Sequence, residues 1–226
     1  MWNTDQLGIA SWQSEGSIWR FDARGGEHGI GMLPTDDASS VRRLSLSSVD
    51  QDRLPVAAEQ FIRGDHWNVN YPQVDGSFAL RLAFCPIQTT ADRLVLEVCL
   101  SIQTDLLDTN PKIDIDVTCD DIDSFVPGDA WGSPQVQGSG CAPISLAKSK
   151  QESLAVLLGP HDGPFTTNLS TDSLLRLRLF GEFLEKGVIR KGRPWIVIDR
   201  SGNVPSESDL VPLWDQLCSS PLPLTP

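Results

Sequence analysis

Between Phe78 and Val117, large apolar residues occupy every second position. Phe78, Leu80, Leu82 and Phe84 form the first set, then Leu94, Leu96, Val98, Leu100 and Ile102, then Ile113, Ile115 and Val117. A two-residue period is that of a strand with one buried face, whereas a helix needs apolar positions three and four apart. The pattern predicts three consecutive antiparallel strands of one sheet. Weaker alternation predicts further strands at 17–22, 41–47, 56–62 and 67–71, and at 174–180, where Leu175, Leu177 and Leu179 alternate with Arg176 and Arg178. Residues 153–158 read as a buried strand. Trp195 to Asp199 is apolar on both faces, which places it in the middle of a sheet.

The C-terminal part changes period. Leu210, Leu213, Trp214 and Leu217 fall at helical spacing, behind Ser206 and Asp209 set three apart like a capping box with Asp in place of Glu or Gln. One short helix is predicted over residues 208–218. Residues 1–40 read as loop-rich with a single strand, 119–150 as a long loop, and 182–186 as one helical turn or a strand continuation. Residues 219–226 read as an extended or disordered tail. Many short strands, frequent turn signals and almost no helix predict an all-β fold. The expected form is a single-domain, mostly antiparallel β-sandwich over residues 1–218, with one short C-terminal helix.

Composition narrows the function classes. The net charge of −12 speaks against a nucleic-acid partner and against docking on an anionic membrane. No apolar run is long enough for a membrane helix. The five cysteines show no C-x-x-C pair or zinc-ligand spacing. An odd count suggests free thiols in a reducing compartment, and the N-terminus lacks a signal-peptide pattern, so a cytoplasmic location is expected.

Four constellations carry candidate chemistry. Trp2, Trp12 and Trp131 lie among Gly, Ser, Asn and Gln, and exposed indoles in such surroundings could stack on sugar faces. Asp105, Asp108, Asp114 and Asp116 open an acidic run whose oxygens could hold calcium. His28, His66 and His161 each sit in a loop beside an acid, a pattern open to a transition-metal or acid–base site if the loops meet. Between Arg176 and Arg200 lie seven of the 18 basic residues against three acids, a basic region that could drive self-association. Each has a plain alternative: core packing for the rings, a solvated face for the charges, idle loop positions for the histidines. No nucleophile-elbow, phosphate-loop or H-E-x-x-H motif is present.

The residues favour a non-catalytic binding or interaction domain, with carbohydrate as the first ligand class. The alternatives are a metal-dependent enzyme using the loop histidines and acids, and a structural self-associating subunit. No cofactor is required by the leading reading, and the acidic run admits calcium.

Overall fold

A computed structural model describes residues 1–14, 16–33, 44–49, 53–127 and 141–221. The chain begins with β1 (Trp2–Gln6), β2 (Ile9–Ser14), β3 (Ser17–Asp22), β4 (Ile30–Leu33) and β5 (Leu44–Ser48). It continues through β6 (Glu59–Arg63), β7 (His66–Tyr71), β8 (Ala79–Thr89), β9 (Arg93–Gln103), β10 (Lys112–Thr118) and β11 (Asp121–Phe125). Then follow β12 (Ile144–Lys148), β13 (Ser153–Leu157), β14 (Thr166–Asn168), β15 (Leu174–Phe180), β16 (Ile189–Gly192) and β17 (Trp195–Asp199). A helix, α1 (Glu207–Ser219), ends the described chain.

Two antiparallel sheets pack face to face, as the alternation predicts. The first runs β1-β2-β3-β4-β5-β10-β15-β14, and the second runs β11-β12-β13-β17-β9-β8-β7-β6 with β16 also paired to β9. Their inner faces share a core containing Trp19, Phe21, Trp67, Leu82, Leu96, Ile115 and Leu177. β17 lies between β13 and β9, as its two apolar faces require.

Three expectations are corrected. The strands over 78–117 do not share one sheet: β8 pairs β9, but residues 104–111 carry the chain across, and β10 pairs β5 and β15. Period two identifies a strand but not its partner. The N-terminal stretch holds four strands rather than one. The β1–β2 turn depends on Gly8, whose φ of 74° leads the chain within 2.8 Å of the Arg24 backbone for any added Cβ. Small Ala10 and polar Thr4 and Gln6 on these strands dilute the alternation that would reveal them. The long loop over 119–150 begins and ends in paired strands, β11 and β12.

Residues 182–186 are neither helix nor strand. Leu184 is buried there, and its N–H donates to Thr109 O at 2.9 Å. The helix stands as expected, with the Asp209 carboxylate accepting the Ser206 N–H at 2.9 Å and held below its usual pKa by its Ser206 hydrogen bonds. Pro212 lies in the second turn, where it withholds one backbone donor. Among the described residues, no helix is long and apolar enough to cross a membrane.

α1 packs against the outer face of the second sheet, not between the sheets. Leu210, Leu213 and Leu217 form a second core with Val95, Leu146, Ala155, Leu157, Trp195 and Val197. The strand register explains the match. Leu146, Ala155, Val197 and Val95 stand side by side on one rung, and Ile144, Leu157 and Trp195 on the next. This half of the outer face is apolar and covered. The other half, over β9-β8-β7-β6 and β16, carries no helix among the described residues.

Candidate functional site

The uncovered half of that face forms a groove of about 810 Å³. Its central rung runs across five strands as Glu59, Asn70, Arg81, Ser101 and Lys191. The rung beside it carries Phe61, Asn68, Ala83 and Cys99, and on the other side Gln103 stands opposite Ala79 and Ile189. Alternation puts these side chains outward because Trp67, Val69, Tyr71, Leu80, Leu82, Leu100 and Ile102 point into the core. The floor is therefore a rigid pleated surface bearing amide, hydroxyl and cationic groups. Phe61 stands 44% exposed at its edge, an apolar ring open to a ligand. Asn70 Nδ2 donates to Glu59 Oε2 at 2.7 Å, which fixes the acid and leaves the Asn70 carbonyl oxygen as an acceptor.

Glu97, Trp195 and Arg193 mark the border with the helix-covered half. Glu97 is buried and accepts from Trp195 Nε1 at 2.9 Å and from the Cys99 thiol at 3.6 Å. Arg193 lies at the break between β16 and β17, and its guanidinium reaches Glu97 Oε2 at 3.8 Å. It also donates to Leu217 O, Ser220 O and Pro221 O, capping the C-terminus of α1. The last turn of α1 has no basic residue of its own. The Arg193 backbone N–H donates to Asp162 Oδ2 at 3.0 Å. Asp162 lies in a smaller hollow of about 270 Å³ beside His161, Glu182 and Arg190, and burial raises its carboxyl pKa.

The tryptophan expectation changes most. Trp2 is 7% exposed, packed against Trp12, Phe21 and Trp67 with centroids 5.4, 5.2 and 5.5 Å away, and its Nε1 donates to Asp65 O. Trp12 is half-buried on the rung between Trp2 and Trp19, and its Nε1 donates to Thr89 Oγ1 at 3.1 Å. Trp2 belongs to the sandwich core, and Trp12 packs against it partly buried. Trp131 lies outside the described residues.

The acidic set divides. Asp105 and Asp108 are exposed in the crossing loop, Asp108 at φ 58°. Asp114 and Asp116 share an outer strand face, but they turn to guanidinium groups. Arg178 Nε and Nη2 donate to the two oxygens of Asp114 at 2.8 and 2.9 Å, and Arg176 grips Asp116 at 2.7 and 3.1 Å. Ser47 Oγ also donates to Asp116 Oδ2. Neighbouring strands thus satisfy the oxygens that a calcium ion would need. The same pairs engage the arginines that open the basic region, within the sheet.

Arg178→Leu is expected to cost about 2 kcal/mol, because Asp114 would keep a nearly buried charge with only the more distant Arg176 Nε, at 3.6 Å, beside it. Urea denaturation measures it, and replacing Asp114 and Arg178 together by leucine should recover most of the loss. If the double variant is no more stable than the single one, the pairing does not govern the cost.

The histidines stay apart. His66 lines the groove, His161 lines the smaller hollow, and His28 is exposed in the 3-10 turn Gly26–His28. Among the described residues, no group of three or more His, Cys, Asp and Glu is placed to hold a metal ion.

The groove residues were missed because polar outward positions read as ordinary solvated strand faces. One signal was available: the outward residues of β9 change from Val95 near its start to Cys99, Ser101 and Gln103 near its end.

Thiol protonation gives a pH prediction. Burial, with the charges of Glu97 and Asp65 adding, pushes the Cys85 thiol up to about 11, and burial pushes Cys141 to about 11. The folded state therefore holds these protons more tightly than the unfolded chain, whose thiols keep the ordinary value of 9.0. That contribution is complete below pH 9 and is lost as pH rises through about 11. Urea denaturation under reducing conditions should show falling stability across this window, with a shallower slope in Cys141→Ala. A slope identical in wild type and variant would contradict the assignment.

No family model and no curated protein sequence matches the chain. Among solved structures it is similar to one titled "Putative kojibiose phosphorylase from human microbiome", at 8% sequence identity and a TM-score of 0.48. The match covers 95% of this chain and 32% of that one, so the chain spans about a third of that protein's length.

Proposed function

We propose that this chain is a non-catalytic binding domain whose ligand is a glycan seated in the outer-face groove. The observation that carries the reading is the division of one sheet face. Its apolar half is sealed by α1, and its polar half forms a concave surface with a five-strand rung of hydrogen-bonding side chains. Sugar hydroxyls each donate and accept, and Asn68, Asn70, Ser101 and Gln103 offer both functions in nearly fixed positions. The exposed Phe61 ring offers the apolar surface on which a sugar's C–H face can rest. Groups held on paired strands lose little conformational entropy on binding, which favours recognition by a preformed surface.

The metal-dependent enzyme reading draws only on separated pieces, His66 in the groove and His161 with Asp162 in the smaller hollow. The self-association reading is weakened at Arg176 and Arg178, which already hold Asp116 and Asp114.

Calorimetric titration with a panel of soluble oligosaccharides tests the proposal. At least one should bind, and Phe61→Ala should weaken it about tenfold, or about 1.4 kcal/mol, with an unchanged circular dichroism spectrum. Binding that is indifferent to Phe61 and to Asn70→Ala would place the ligand elsewhere and remove the groove reading.

A further inference from the structure

We propose that the groove selects an acidic oligosaccharide, with uronate carboxylates held by Arg81 and Lys191 on either side of Ser101. This rests on the glycan-groove reading and adds the charge of the ligand to it.

The first argument is placement. Arg81 pairs in register with Ser101, and Ser101 with Lys191, so the two cations stand two strand spacings apart, about 10 Å between backbones. Both are exposed and long enough to lean toward a ligand lying over Ser101. Arg63, at the β6 end of the groove, adds a third cation, and Glu59 is the one carboxylate among the described residues that line it. A site with excess positive charge is thus set into a chain of net charge −12.

The second argument is the state of these cations. Several basic groups elsewhere are engaged: Arg24 with Asp22, Arg176 with Asp116, Arg178 with Asp114, Arg190 with Glu182, and Lys148 with Asp121. The side chains of Arg63, Arg81 and Lys191 make no ion pair or hydrogen bond with any described residue. Cations left without such a partner on an acidic protein, and gathered in one groove, are disposed for a ligand's negative charge.

The third argument selects the anion. A planar guanidinium matches a carboxylate in bidentate geometry, and the amides around it suit the hydroxyls that accompany a uronate ring. A nucleic acid would ask for more phosphate-neutralising groups than three, and the acidic remainder of the surface would repel it.

The test is calorimetric titration of the intact chain with galacturonate, glucuronate and mannuronate oligosaccharides, each beside its fully methyl-esterified neutral form. One acidic oligomer should bind at least about tenfold more tightly than its ester. That advantage should shrink when ionic strength rises from about 0.05 to about 0.5 M. Arg81→Gln and Lys191→Gln, both at exposed positions, should remove the advantage, the acid losing more affinity than its ester. Equal affinity for acid and ester would overturn the charge inference and leave the glycan groove standing. Failure of every acid and ester to bind, while other neutral oligosaccharides do, would overturn the charge inference alone. Failure of every sugar would overturn both. Tighter binding of single-stranded DNA than of any uronate would also overturn the proposal.

Discussion

Trp67→Ala is expected to remove about 4 kcal/mol of folding stability, the cost of emptying a fully buried aromatic site. Trp67 has no solvent exposure and stacks on Phe84 at 5.0 Å with planes 24° apart. Trp2 and Phe21 complete its surroundings at centroid distances of 5.5 and 6.2 Å. Its ring N–H donates to Gln60 Oε1 at 3.2 Å, and the same oxygen accepts the Gly8 N–H at 3.0 Å. The substitution therefore opens a cavity and disturbs the tie between β6 and the β1–β2 turn. Urea denaturation followed by far-UV circular dichroism gives the number. A loss under about 1 kcal/mol, the size of an ordinary surface change, would mean that the aromatic cluster is not core.

Arg193→Met is expected to cost about 3 kcal/mol, because one side chain joins four separate groups. The guanidinium satisfies three carbonyls at the end of α1 and supplies positive charge to the negative end of the helix. It is also the cation nearest Glu97, which is 9% exposed and would keep its charge in a poorly solvated place. Methionine preserves much of the apolar stem while removing every donor. The loss should be local: amide hydrogen exchange should accelerate most in α1 and in β17, and least in β6 and β7. Uniform acceleration throughout the chain would show that Arg193 does not act as a helix pin.

β8 and β9 of the second sheet were legible because their inner faces alternate without interruption, as in Leu80, Leu82 and Phe84 against Leu96, Val98 and Leu100. The helix was legible for the same kind of reason, with Leu210, Leu213 and Leu217 on one face behind Ser206 and Asp209. Pairing was less legible. β10 has the same alternation as β8 and β9, yet the crossing loop delivers it to the other sheet, a choice set by partners such as Arg176 and Arg178 sixty or more residues away. The tryptophans misled for a related reason. Trp2 and Trp12 sit among polar neighbours in sequence, but those neighbours are the outward residues of strands whose inward residues are the rings. The groove was the least legible feature. It consists of residues that look like any solvated strand face, and it is set apart because α1 covers the apolar half of that face and not the polar half.

The measurement that tests the account most directly is a map of ligand-induced amide shifts in ¹⁵N-labelled protein, titrated with uronate and neutral oligosaccharides. The account predicts perturbations confined to β6, β7, β8, the second half of β9 and β16, centred on Asn70, Arg81, Ser101 and Lys191. Amides of α1 and of the β1–β2 hairpin should stay still. Perturbations centred on Trp2 and Trp12, or on the hollow around Asp162 and His161, with the groove silent, would contradict it.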